Sequence, residues 1–223
     1  NIEAIKARIG DTSAPAGAQA EVNDQAEAWK EVWGDGLKDQ NDLEWPDDMG
    51  DIPPMIIAQA LLAVALTFPR ETGLGWDLLH PMALNRLSYG TLLWLCAVMH
   101  EAEKTGRWPE AAVLVLIAHL PKVDGGFRAI GLLPLLPRLW MRTRKNVAAE
   151  WEEIQQNPDL YAGKKMGATV AAWKQGFRGE LAAACGRTVN YCEALLDLVK
   201  AFDKVPHWLI IQEGIALGYP LWL

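Results

Sequence analysis

Asp124-Gly125-Gly126 separates two apolar runs, and it constrains the fold more than any other stretch of the chain. Glycine enters the left-handed region without a Cβ clash, so Asp-Gly followed by Gly is a strong hairpin turn signal. The preceding run, residues 112–120, contains Val113, Val115 and Ile117 and has Pro109 and Pro121 outside its ends. Its length and β-branching predict a buried strand. Residues 127–133 are expected to form the returning strand. The product is a β-hairpin that carries Lys122 and Arg128.

The rest of the chain reads mostly as helix. Residues 10–24, rich in Ala, Ser, Pro, Gly and Gln, predict a flexible or loosely helical lead-in, and the acidic, proline-containing residues 39–54 an exposed connector. Residues 55–68 are apolar apart from Gln59 and Thr67. They are too short to span a bilayer comfortably and predict a buried helix ended by Pro69. A glycine-rich loop follows at 72–77. Residues 81–105 predict a helix with Leu92, Leu95, Cys96 and Met99 on one face and Gly106 as its stop signal. Further helices are expected over 137–156, 168–185 and 208–217, and a strand over 189–198. The fold class is therefore α+β.

Charge is unevenly distributed. The formal net charge is −7, but residues 1–58 hold 13 acidic and 4 basic side chains, whereas residues 119–178 hold 10 basic and 5 acidic ones. That split predicts an acidic N-terminal part and a basic working surface; two solvated faces of opposite sign account for it equally well. Cys96, Cys185 and Cys192 are odd in number and contain no Cys-x-x-Cys pair, which argues against a disulfide framework and fits a reducing compartment. His80, His100, His119 and His207 lack metal-ligand spacing and read as structural or surface residues. No targeting signal is visible and no membrane partner is expected, so an intracellular location, cytoplasm or nucleus, is predicted. The chain starts at Asn1 and stops at Leu223 within a hydrophobic stretch, and both ends read as cuts through a longer protein.

Asp197 closes an apolar run, and Asp203 follows it six positions on. A carboxylate at the end of a buried strand requires a compensating partner, because desolvating it is costly. A divalent metal is one such partner. A helix N-terminus is another, since strand-to-helix turns commonly carry Asp as an N-cap. Spacing alone leaves both open.

The surrounding segment is more specific. Leu-Asp-Leu-Val-Lys-Ala-Phe-Asp-Lys-Val-Pro-His resembles the first palm motif of reverse transcriptases of non-LTR retroelements and group II introns. Leu196, Asp197, Ala201, Phe202, Asp203, Val205 and His207 meet seven fixed positions within twelve residues. Upstream, the Pro121-Lys122 and Arg128-Ala129-Ile130 segments resemble the family's fingers hairpin, departing from it at Ala129, where the family usually has Pro. Residues 161–169 are similar to the following block in their glycines and Thr169 but lack its aromatic residue. The loop at 72–77 is distantly similar to a leading Pro-Gly-x-Asp-Gly block.

The resemblance implies a helix-rich N-terminal extension over residues 1–71. Over 72–223 it implies the fingers and partial palm of a right-hand polymerase, truncated before the aromatic-x-Asp-Asp hairpin. Asp197 would be the catalytic metal ligand, holding two Mg²⁺ ions with help from the backbone carbonyl of Leu198. Lys122 and Arg128 would bind the triphosphate of the incoming nucleotide, Lys as a mobile point charge and Arg by bidentate hydrogen bonds. Phe202 would sit under the sugar and exclude a 2′-hydroxyl. Asp203 is expected to cap the next helix or support the turn. Arg138, Arg142, Arg144 and Lys145 are candidates for template backbone contacts or for a solvated helix face. The implied partners are an RNA template, a DNA primer, deoxynucleoside triphosphates and the remaining palm and thumb of the same polypeptide. Two other readings are a degenerate remnant that binds nucleic acid without chemistry, and a helical interaction module.

Overall fold

The computed structural model describes residues 18–34, 50–123, 125–161, 166–186, 191–194, 196 and 204–223. They fall into two units, Asn1–Trp45 with Leu181–Ala216, and Pro46–Glu180 with Leu217–Leu223. The described residues are rich in helix and include one two-stranded antiparallel sheet, an α+β combination. None of their helices is long and apolar enough to cross a membrane.

The lead-in becomes helix α1, Ala18–Gly34. Its surface ion pair, Lys30 to Glu27 at 3.6 Å, joins two exposed side chains and contributes little. In the second unit, α2 covers Ala58–Leu66. It is shorter than the apolar run because Ile57 is extended, at φ −83° and ψ 144°, and because the Thr67 hydroxyl and amide both donate to the Val64 carbonyl and close the last turn. The expectation of a buried helix holds for one face only. Ala58, Leu61 and Ala65 are buried, whereas Gln59, Ala63 and Leu66 are exposed.

The single helix expected over 81–105 is divided. A 3-10 helix, Pro81–Arg86, precedes α3, Tyr89–Thr105. The break has two capping residues as its cause. His80 Nδ1 accepts from the Met82 amide at 3.1 Å while its Nε2 lies 3.0 Å from the Pro69 carbonyl, an arrangement that suits the Nε2–H tautomer. Ser88 then starts α3 by accepting from the Thr91 amide at 3.2 Å. The expected face is the buried one: Leu92, Cys96 and Met99 are buried and Leu95 packs against them. Gly106 ends the helix at φ +64°, a conformation that favours glycine.

The expected strand at 112–120 begins later than its β-branched residues suggest. Pro109 opens a helical turn, α4, Glu110–Val113, in which the Ala112 amide donates to the Pro109 carbonyl. β1 is Leu116–Pro121 and β2 is Phe127–Leu132, paired from Leu116↔Leu132 to Pro121↔Phe127. The strand is also not buried as expected. Leu116 and Ile117 are exposed, because a sheet of two strands covers little of either face.

α5, Leu135–Ile154, follows the hairpin. Pro137 fits its first turn, where a missing N–H breaks no helical bond. α6 is Ala168–Ala184 and α7 is His207–Ala216, close to expectation, and neither has a buried residue. Trp173, Phe177 and Leu181 form an exposed i, i+4, i+8 stripe on α6. The strand expected over 189–198 is not formed at 191–194 or 196, where the chain is irregular and Leu196 is exposed. A strand requires a neighbour for its amides and carbonyls, and none pairs with these positions among the described residues. The remainder of that segment lies outside the described residues.

The core of the second unit is built from α2, the 3-10 helix, α3 and α5, with Leu61, Leu84, Met99 and Leu139 fully buried. One charge sits in it. The Glu103 side chain has no solvent exposure and accepts from Arg144 Nε at 2.6 Å, Arg144 Nη2 at 2.8 Å and Trp140 Nε1 at 2.8 Å. Arg144 Nη2 also donates to the Pro54 carbonyl at 2.8 Å. Replacing Glu103 with Ala strands that guanidinium, and breaking a buried pair in this way costs about 3–5 kcal/mol. Urea denaturation should show a loss of this size, and a change below about 1 kcal/mol would contradict the burial of the pair.

Cys96 is fully buried, and burial pushes its thiol pKa up. Cys185 and Cys192 are exposed. A thiol reagent at pH 8 should therefore modify Cys185 and Cys192 rapidly in the native protein. Cys96 should react only on unfolding, since thiolate is the reactive form. Rapid modification of all three would place Cys96 outside the core.

Candidate functional site

The hairpin is the part of the expected site that the structure describes. Its turn closes with the Lys122 amide donating to the Gly126 carbonyl at 3.0 Å, and Gly125 and Gly126 adopt φ +94° and +76°. Both are conformations that side chains other than glycine resist. Arg128 pairs with Leu120, and the same alternation continued to the Lys122–Gly126 bond places Lys122 on the Arg128 face. Leu116, Ala118, Ile130 and Leu132 share that face. The opposite face carries His119 against Phe127 in an edge-to-face contact, ring centres 6.3 Å apart. Lys122 and Arg128 are exposed, and neither charged group has a side-chain partner among the described residues.

The base of the hairpin is held by the loop at 72–79. A Cβ on Gly73 would lie 3.2 Å from Leu132 Cδ2, and one on Gly75 only 2.5 Å from the Leu133 carbonyl oxygen. The Asp77 carboxylate accepts from the Leu135 amide at 2.7 Å and from the Leu79 amide at 3.3 Å. It therefore caps α5 from a distant part of the chain, where the local N-cap residue Pro134 offers no side-chain bond. The indole of Trp76 donates to the Ala111 carbonyl at 3.1 Å. Leu78 takes φ +53° in the turn closed by its amide on the Gly75 carbonyl. Glycine at 75 and an acid at 77 were the available signals, but their partners are remote in sequence.

The basic residues of α5 mostly serve the fold. Arg138 donates to the Gly73 carbonyl at 2.7 Å and Arg142 to the Thr67 carbonyl at 3.4 Å, and both guanidinium groups lie over the Phe68 ring. Burial lowers the pKa of Arg138, while the nearby Asp77 carboxylate acts in the opposite direction. Arg144 is committed to Glu103. The expectation of template contacts is therefore corrected for Arg144, whose donors are turned to its own chain. Lys145 remains exposed.

Asp197, Leu198, Phe202 and Asp203 lie outside the described residues. Among the described residues, no group of three His, Cys, Asp or Glu side chains is arranged to hold a metal ion. No protein-family model and no curated protein matches the chain.

The Gly75 contact is testable directly. The atoms that meet an added Cβ are backbone, Leu133 O and C and Pro134 N, so they cannot rotate away. Gly75→Ala should displace the loop from the hairpin base and raise amide exchange at Leu135 at least tenfold. Unchanged exchange at Leu135 would show that the two backbones are not in this contact.

Proposed function

We propose that the chain is the fingers and first palm segment of an RNA-directed DNA polymerase of the non-LTR retroelement or group II intron class. The observation that carries this reading is the seven-position match ending at His207, preceded in the chain by a hairpin with Lys122 and Arg128 on one face. In this reading Asp197, with the Leu198 carbonyl, holds Mg²⁺. Mg²⁺ bound there would supply charge stabilisation to the attacking and leaving oxygens. Lys122 and Arg128 bind the triphosphate and fix the incoming nucleotide. Phe202 stacks under its sugar and disfavours a ribose. The 223 residues contain no Asp-Asp pair downstream of Asp203, so the chain as it stands supplies too few carboxylates for the metal pair.

This chain should accordingly show no templated nucleotide incorporation, whereas the product of the extended reading frame should extend a DNA primer on RNA. In that product Asp197→Ala should abolish incorporation. Lys122→Ala and Arg128→Ala should each raise KM for nucleotide about tenfold to a hundredfold, the equivalent of hydrogen bonds to charged groups worth about 1.5–3 kcal/mol. Salt-dependent nucleic-acid binding by the extended product without incorporation would instead identify a degenerate binding remnant.

A further inference from the structure

We infer that Trp76 and Asp77 are positioning residues that set the angle at which the hairpin leaves the helical core. The inference rests on reading the hairpin as the phosphate-binding arm. The loop at 72–79 grips both legs of that arm. On the entering side, the Trp76 indole holds the Ala111 carbonyl in α4, five positions ahead of β1. On the leaving leg, Gly73 meets Leu132, the Gly75 backbone lies against Leu133 and Pro134, and Asp77 caps Leu135. A two-stranded ribbon attached at two chain ends is free to swing, and it is marginal in stability without further packing. Contacts on both legs remove that freedom.

The geometry links the grip to the cations. The face of β2 that touches Gly73 through Leu132 is the face that carries Arg128. At 3.2–3.4 Å per residue, Arg128 stands about 13 Å out from Leu132. A swing of about 20° at the base therefore moves the guanidinium by roughly 4–5 Å, more than the length of a hydrogen bond. Nucleotide contacts made from the tip need the base to be fixed, and Asp77 and Trp76 supply the directional bonds that fix it.

The test measures the arm directly. Spin labels are placed at Val123→Cys, at the fully exposed tip, and at Glu150→Cys on α5, in the 223-residue chain with Cys185→Ser and Cys192→Ser. Pulsed dipolar spectroscopy reports the distance distribution between them. Asp77→Ala should at least double its width, while Asp77→Asn, which keeps an oxygen acceptor for the Leu135 amide, should restore the narrow distribution. Trp76→Phe removes only the indole donor and should broaden the distribution less, and it carries the test if Asp77→Ala does not fold. Distributions as narrow as wild type in Asp77→Ala, or in Trp76→Phe where only that variant folds, overturn the inference. Inorganic tripolyphosphate binding by the same chain, compared with Lys122→Ala/Arg128→Ala, tests the phosphate reading separately. Equal binding by wild type and the double variant would sink that reading, and with it the functional role assigned to the grip, while the distances still report the grip itself.

Discussion

A carboxylate buried in a helical core imposes a strict condition on everything around it: it must be neutralised and its lone pairs filled. Glu103 meets that condition through Arg144 and Trp140, both on α5. The desolvation of two charges offsets much of their attraction, so the pair adds specificity more than net stability. It admits one register of α3 against α5, because a shift of one residue on either helix would leave a charge unpaired. Around this point the apolar residues of α2, α3 and α5 close, and Arg144 reaches on to the Pro54 carbonyl at the entrance to α2.

The hairpin inherits its position from the same helix. α5 begins three residues after β2 ends, and its first amide is capped by Asp77. A fixed α5 therefore fixes the exit of the hairpin, and the loop at 72–79 fixes its entry. The sheet needs no third strand to have a defined orientation. Its exposed apolar residues are the consequence, since the contacts that orient it lie at its base rather than on its faces.

The features readable in the sequence are those whose causes are local. The Gly125-Gly126 turn, the buried face of α3 and the stop at Gly106 each follow from residues within one or two turns of one another, and each is present. The division of 81–105 is not legible in the apolar spacing because it is made by two successive caps, His80 and Ser88. The strand expected over 112–120 starts later because Pro109 begins a helical turn despite the β-branched residues that follow. The roles of Arg144 and Asp77 are not legible for a different reason: their partners stand 41 and 58 positions away, and no periodicity reports such a pairing. The polymerase reading rests on a pattern of side chains around Asp197, of which Asp197, Ala201, Phe202 and Asp203 lie outside the described residues.

The separation between these partners also orders events in time. The hairpin closes between neighbours in sequence, and such ribbons form within about 1–10 μs. The bonds from Asp77 to Leu135 and from Arg144 to Pro54 span 58 and 90 positions, so they must first overcome the entropy of closing long loops. During synthesis from the N-terminus, the loop at 72–79 emerges well before the residues it grips. Its left-handed Leu78 and its close-approach Gly75 have no support until β2 has been made. The loop is thus a socket that can close only after the arm it holds has been synthesised.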